Sequence, residues 1–246
     1  MLAQEVTAKY PGRAKFVSEN FGESRLAEQF GIKRYPAVFV DDVLVATPRD
    51  FGFYGEGEKD GRYTPWKSEA SHKKFQDDLH RMIDLILKGK KAEAANQAAP
   101  ANSESAELVS VPAFSVTDLD GKPLSEKDLQ GRVVVVEFWA TWCPPCRSTL
   151  EWLGALRKKY GDRVAVVALA VESQESDVRK LTSSLSPDLR WAMATPEAAR
   201  AFGDVVAVPT MYIFDRDGKT AQATFGAPPG VHERVEKTLN SLLAAN

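Results

Sequence analysis

The chain is poor in the residues from which most reactive sites are built, with two cysteines, three histidines and four methionines among 246 residues. Two cysteines cannot make a disulfide scaffold. His72, His80 and His232 stand far apart in sequence and form no ligand motif, so they read as ordinary surface or cap residues. Charge of one sign is not in excess either. The chain has 32 Lys and Arg against 34 Asp and Glu, a net charge of −2. That balance argues against a nucleic-acid binder or a membrane-surface protein, which carry a basic excess or stripe. No apolar run approaches the roughly 20 residues of a membrane helix, and the longest, 164–171, is strand-sized. The opening MLAQEVTAKYPGR lacks the apolar block of a signal peptide, so the chain reads as cytoplasmic or as one without its leader. With 43% apolar and 27% charged residues, it is an ordinary globular sequence with a sizeable core.

The composition changes at 88–107, KGKKAEAANQAAPANSESAE, which has no aromatic or β-branched residue. Such a stretch buries too little apolar surface to offset the entropy of ordering it. It divides the chain into a domain at 1–88, a linker at 89–107 and a domain at 108–246. A helical linker is compatible with its Ala, Lys and Glu, although Pro100 interrupts it. In the second domain, AFSVTDLDGKPLS reads as a hairpin turned at Asp120-Gly121, and RVVVVEFWA and RVAVVALAV as strands buried on both faces. Residues 144–160 read as a helix, SDVRKLTSSL as a second one opening at Ser176 or Asp177, and TMYIFDRDGKTAQATF as a hairpin turned at Asp217-Gly218. Val231, Val235, Leu239 and Leu242 mark a last helix. This order describes an α/β sandwich around a mixed sheet. The first domain reads as a short helix near 3–10, a strand at 14–19, a helix at 24–30, two strands meeting at Asp41-Asp42, and a long helix carrying Phe75, Leu79, Met82, Ile83 and Ile86.

The two cysteines form a C-x-x-C, a spacing that chance gives a lone pair in roughly one sequence in 124 of this length. ATWCPPCRS follows a buried strand and opens a helix. Cys143 at a helix N-terminus has its thiolate stabilised by unpaired N–H groups. Cys146, one turn on, is close enough to close a disulfide, and Pro144 suits the first helical turn because it has no N–H to leave unpaired. Cys143 attacking a substrate disulfide, with Cys146 resolving the mixed disulfide, is the redox reading. A structural disulfide or half of a metal site are the alternatives, and a four-ligand zinc site lacks its second cysteine pair.

VVVVEFWATWCPPCRS followed by AVPTMYIFDRDGK resembles the TlpA/ResA-like thiol–disulfide oxidoreductases of the thioredoxin superfamily, over roughly 109–244. The resemblance implies a thioredoxin-like three-layer α/β sandwich, with Cys143 the exposed nucleophile and Cys146 the resolving thiol. It also implies a cis Val208–Pro209 bond that presents backbone to an extended protein substrate. Trp142, Pro144, Pro145, Val208, Pro209 and Thr210 are then the substrate-binding residues. Trp142 shields one side of the disulfide, and Trp139 packs in the core. Glu137 stands where thioredoxins carry a buried Asp. There a desolvated carboxyl accepts the resolving cysteine's proton, unless it is simply paired with a nearby Lys or Arg. Glu172 resembles an acidic residue near the site in ResA-like members. Thr149 and Glu151 replace the family's usual Glu and Pro, which puts the usual helix kink in doubt. The resemblance further implies protein disulfide substrates, an upstream thiol redox partner, no cofactor beyond the Cys143–Cys146 disulfide, and a periplasmic or otherwise extracytoplasmic location. Direction, substrate and oligomeric state are left open. A Cu(I)-binding module using the same two thiolates is the alternative from another class. Thiol peroxidase ranks lower, because Ala140 stands where that chemistry has Thr or Ser.

FGIKRYPAVFVDD resembles the second half of a thioredoxin fold with Pro36 in the cis-proline place, so the first domain reads as a partial or degenerate thioredoxin-like domain without a C-x-x-C. Its loop DFGFYGEGEKDGRYTPW is acidic, lacks the Lys-Ser/Thr of a phosphate loop, and carries aromatics that read as local core.

Overall fold

A computed structural model describes residues 2–19, 24–32, 35–55, 61–97, 108–203 and 205–245. The chain forms two compact units, Met1–Ala106 and Glu107–Asn246. Among the described residues no helix is long and apolar enough to cross a membrane.

The second unit is built around a five-stranded sheet whose strands lie in the order Arg190–Met193, Val164–Ala170, Val133–Trp139, Thr210–Phe214 and Thr220–Phe225. Its central strand β5 (Val133–Trp139) is parallel to β6 (Val164–Ala170) and antiparallel to β8 (Thr210–Phe214). Every residue of β5 and β6 is buried, as near-continuous apolar runs are when helices cover both faces, and Glu137 is the one charged residue among them. β7 (Arg190–Met193) continues parallel to β6, and β9 (Thr220–Phe225) antiparallel to β8. The helices are α5 (Pro144–Tyr160), α6 (Glu175–Thr182), α7 (Pro196–Ala201) and α8 (Val231–Ala244). The α5 helix is continuous to Tyr160, and Gly161 ends it at φ +58°.

Register sorts the side chains of the sheet. Glu137 lies beside Ala168 and Met211, Trp139 beside Ala170, and Trp191 beside Ala168, so these residues share one face. That face is covered by α5 and α8. The Trp191 indole donates to the Ser186 carbonyl, and Ser186 packs on Gly154 of α5. α5 is tied to α8 by the Lys159–Glu236 ion pair, the Tyr160–Asn240 hydrogen bond at 2.7 Å and the Trp152–His232 stack. The opposite face carries Phe138, Tyr212 and Phe214, which meet Phe202 at the end of α7.

The hairpins β3–β4 (Ser115–Thr117, Pro123–Ser125) and β8–β9 use one five-residue turn twice, Asp118–Lys122 and Asp215–Lys219. In each the leading Asp carboxylate accepts two backbone N–H groups, of Asp120 and Lys122 or of Asp217 and Lys219. The glycine sits at φ +80° or +77°, a conformation open to Gly at no steric cost. The Asp-Gly positions read from the sequence are correct, but the leading Asp is the residue that holds the turn.

Two elements were not expected. β7, RWAM, has no β-branched residue and owes its extension to β6 and to the Leu119 N–H bonded to the Trp191 carbonyl. α7 is six residues long, but its signal was present. Thr195 caps Ala198, and Pro196 occupies the first turn. α6 opens at Glu175, ahead of the expected Ser176 or Asp177.

The first unit contains α1 (Leu2–Thr7), α2 (Arg25–Gln29), the antiparallel pair β1 (Val38–Val40) and β2 (Val43–Ala46), α3 (Glu69–Leu87) and α4 (Lys91–Asn96). Residues 14–19 form no strand. Val17 is exposed there, so no burial rewards an extended pairing. The linker expected from 89 to 107 begins later than its composition suggests. Ala94 of α4 is buried, and Lys91 pairs with Asp41 and Asp42 at 3.0 and 2.6 Å. Residues 98–107 of that linker, and 56–60 of the acidic loop, lie outside the described residues. Phe51, Tyr63, Trp66 and Phe75 pack edge to face as local core, and Arg62 joins Asp50 to the Val45 carbonyl. Tyr35–Pro36 is cis, as is Thr64–Pro65.

Gly154 is required by close approach, since a Cβ there would sit 2.7 Å from the Ser186 Cβ. Gly154→Ala should cost about 1–3 kcal/mol in urea unfolding. Ser186→Gly in the same chain should recover most of that loss, and purely additive effects of the two changes would refute the contact.

Candidate active site

β5 delivers the chain at Trp139 into a short turn, Ala140 to Trp142, and Cys143 then caps α5. Its backbone is extended (φ −103°, ψ 98°), its N–H donates to the Ala140 carbonyl, and its Sγ accepts the Cys146 N–H at 3.3 Å. Pro144 fills the first helical position, where a missing N–H costs nothing. Cys143 and Cys146 are joined by a disulfide with their Cα atoms 5.3 Å apart. Cys146 is wholly buried. Cys143 is 6% exposed, so the sulfur pair is reached only from the Cys143 side, and Cys143 is more enclosed than the resemblance implies. Pro144 and Pro145 are exposed beside it.

The register of β5 with β8, Phe138 opposite Thr210, puts Val208 and Pro209 at the same end of the sheet as this turn. The Val208–Pro209 bond is cis, and the Pro209 carbonyl accepts the Gly226 N–H at 2.7 Å. Thr210 supports this loop from beneath. It is buried, and its hydroxyl donates to the Ala207 carbonyl at 2.9 Å. It therefore faces inward and not toward a substrate.

Trp142 is 55% exposed, and its indole N–H donates to the Glu172 carbonyl at 3.0 Å. It borders the site as an open apolar surface more than as a shield. Trp139 is core, set edge-on to Trp191. Glu172 is half-buried in the turn after β6, at φ +45°. Ser173, which the sequence reading passed over, ties that turn to Thr141.

Glu137 is fully buried two residues before Trp139, on the sheet face covered by α5. Among the described residues neither carboxylate oxygen has a hydrogen-bond partner, so no Lys or Arg holds it as an ion pair. Burial alone pushes its carboxyl well above the usual glutamate range, because the charged form cannot be solvated there. Among the described residues no group of three or more His, Cys, Asp or Glu side chains is arranged to hold a metal ion.

The Redoxin family model matches residues 106–241, more than half of the chain. The chain belongs to the Redoxin family. The thiol-disulfide oxidoreductase ResA of Bacillus cereus is 31% identical over 165 residues, which is 65% of this chain and 93% of that protein. The thioredoxin-like protein YneN of Bacillus subtilis is 36% identical over 44% of this chain and 64% of its own length. Among solved structures, a thiol:disulfide interchange protein of the thioredoxin family from Chlorobium tepidum is 30% identical. It superposes with a TM-score of 0.51 over 56% of this chain and 99% of its own. This Redoxin protein is thus a TlpA/ResA-like thiol–disulfide oxidoreductase with a thioredoxin-like fold.

The raised Glu137 makes stability depend on pH in a definite direction. Below the ordinary glutamate value of 4.5 the carboxyl is neutral folded and unfolded, and its burial carries no ionic cost. As pH rises toward the folded value, the unfolded chain gives up its proton and the folded one keeps it, so stability falls. In urea unfolding of the oxidised protein, Glu137→Gln should therefore gain on the wild type between pH 4 and pH 8. The gain is bounded by about 1.4 kcal/mol per pH unit. A difference that stays constant with pH would mean that Glu137 titrates normally.

Proposed function

We propose that this oxidoreductase reduces protein disulfides through the Trp-Cys-Pro-Pro-Cys turn. Cys143 acts as nucleophile, Cys146 as resolving thiol and Glu137 as proton acceptor. The observation that carries this reading is the placement of Cys146, wholly buried, on the helix that covers the sheet face bearing an unpartnered, fully buried carboxyl. In the reduced enzyme the Cys143 thiolate, favoured by the N-terminus of α5, attacks one sulfur of a substrate disulfide. The S–S bond breaks, one substrate sulfur leaves as a thiolate and takes a proton from water, and the other is held as a mixed disulfide. Cys146 then gives its proton to Glu137 and attacks Cys143 Sγ. The second substrate thiolate is released, and the Cys143–Cys146 disulfide of this structure forms. The substrate has gained two electrons, and an upstream dithiol partner returns them to the enzyme. A carboxyl raised by burial suits this transfer, because its proton affinity lies closer to that of a thiol near 8.5. The dithiol carries the electrons itself, so the cycle uses no bound cofactor.

An extended segment of substrate fits along Val208 and Pro209, with Trp142, Pro144 and Pro145 bordering the sulfur it presents. Trp142, Pro144 and Pro145 are exposed, Val208 is half-buried and Pro209 is buried, and all lie at the end of the sheet where α5 begins. We place the reaction outside the cytoplasm, on the likeness to ResA. The first unit contains no cysteine, so we read it as a binding module with no redox centre of its own.

Cys146→Ala should accumulate a mixed disulfide between Cys143 and an added protein disulfide, and Cys143→Ala should accumulate none. Resolution by the wild type should quicken with pH as Glu137 ionises, and Glu137→Gln should slow it about 10–100-fold with a flattened profile. A midpoint potential near the thioredoxin value of about −270 mV fits a reductase, whereas one near about −120 mV assigns the opposite direction.

A further inference from the structure

The turn that carries Trp142 is held from outside as well as by its own Cys143 N–H to Ala140 carbonyl bond. Residues 140–142 are joined to the turn after β6 by a compact set of bonds. The Val171 N–H donates to the Trp139 carbonyl at 2.8 Å, and the Trp142 indole N–H donates to the Glu172 carbonyl at 3.0 Å. Between these two bonds stands one hydroxyl. Ser173 Oγ accepts the Thr141 N–H at 3.0 Å and the Thr141 hydroxyl at 3.2 Å, and it donates to the Val171 carbonyl at 2.9 Å. A serine hydroxyl has one proton to give and two lone pairs to offer. All three are engaged, and each is directed at one of the two turns. The same set holds Glu172 at φ +45°, a left-handed conformation that costs a non-glycine residue about 1–2 kcal/mol and persists only where surrounding bonds impose it.

We infer that Ser173 is the positioning residue for the substrate-docking face: its saturated hydroxyl locks Thr141 and Glu172 together and so fixes the indole of Trp142 beside the disulfide. Ser173 touches neither sulfur in this arrangement and acts through Trp142. The inference rests on the reading of Trp142 as a substrate contact given above. Its consequence is separable from the chemistry of the cysteines. Loss of the lock frees the indole and weakens capture of a protein substrate, while the sulfur exchange that follows capture keeps its rate.

The test uses the full chain, reduced and then mixed with excess insulin as the protein disulfide, with the saturating rate and the half-saturating concentration read separately. Ser173→Ala should raise the half-saturating concentration about five- to tenfold, the weight of one or two hydrogen bonds, with the saturating rate within about twofold. Ser173→Thr, which keeps a hydroxyl, should restore it, and Thr141→Val, which deletes one of the three bonds, should fall between. By NMR, the Trp142 indole proton should exchange several-fold faster in Ser173→Ala. The Trp191 indole proton, bonded to Ser186, serves as the internal control and should not change. An unchanged Trp142 exchange rate, or a loss confined to the saturating rate, overturns the inference. Trp142→Ala separates the two levels of the argument. If it leaves half-saturation unmoved, the substrate-contact reading itself fails. If it raises half-saturation and Ser173→Ala does not, only the positioning role fails. Should Ser173→Ala not fold, Thr141→Val and Ser173→Thr carry the same comparison.

Discussion

The complete burial of β5 is the constraint on which the rest of this structure depends. A strand of Val, Phe and Trp held between a parallel and an antiparallel neighbour, with helices over both faces, has one register in which its alternating side chains fit. That register fixes which residues meet α5 and which meet Phe202. It also fixes where the strand ends. The chain leaves the sheet at Trp139, must turn within three residues, and enters α5 with Cys143 as its cap. The sulfur pair therefore sits at a helix N-terminus because the sheet delivers it there, and the cis Val208–Pro209 loop reaches the same end because β8 is paired to the same strand.

Within that strand Glu137 is the one residue that works against burial. An apolar side chain at its position would be more favourable for folding, since an ionised carboxyl with no partner is expensive inside a protein. Burial raises its carboxyl well above the usual glutamate range, so its ionised form takes a proton more readily than a solvated carboxylate would. Stability and chemistry are thus coupled at a single site, which is the usual signature of a functional carboxyl. The 140–142 turn shows the complementary strategy. There the Ser173 hydroxyl is fully engaged between the two turns and the Trp142 indole N–H is bonded to the Glu172 carbonyl, which leaves Trp142 exposed yet oriented.

Much of the second unit was legible because its signals are local. The β-branched runs of β5 and β6, the Asp-Gly turns, the apolar spacing of α8 and the C-x-x-C at a strand-to-helix junction each act over a few residues. What escaped notice depends on neighbours. β7 has no sequence preference for a strand and is extended because β6 offers it an edge. Residues 14–19 have some of that preference and are not a strand, because nothing among the described residues pairs with them. α4 reads as linker by composition but folds because Ala94 finds a buried place and Lys91 finds two aspartates.

The reaction class is readable from the chain alone, since a lone pair of cysteines at this spacing after a buried strand has few chemical uses. The chain also named Glu137 as a carboxyl out of place in an apolar run. It took the folded arrangement to show that this carboxyl has no cationic partner among the described residues, that Thr210 faces inward, and that Ser173 spans the two turns beside the disulfide. The two turns that Ser173 joins stand 32 residues apart in sequence and are brought together by the pairing of β5 with β6. Hydrogen-bond satisfaction and desolvation are properties of such assembled neighbourhoods, and local sequence patterns do not contain them.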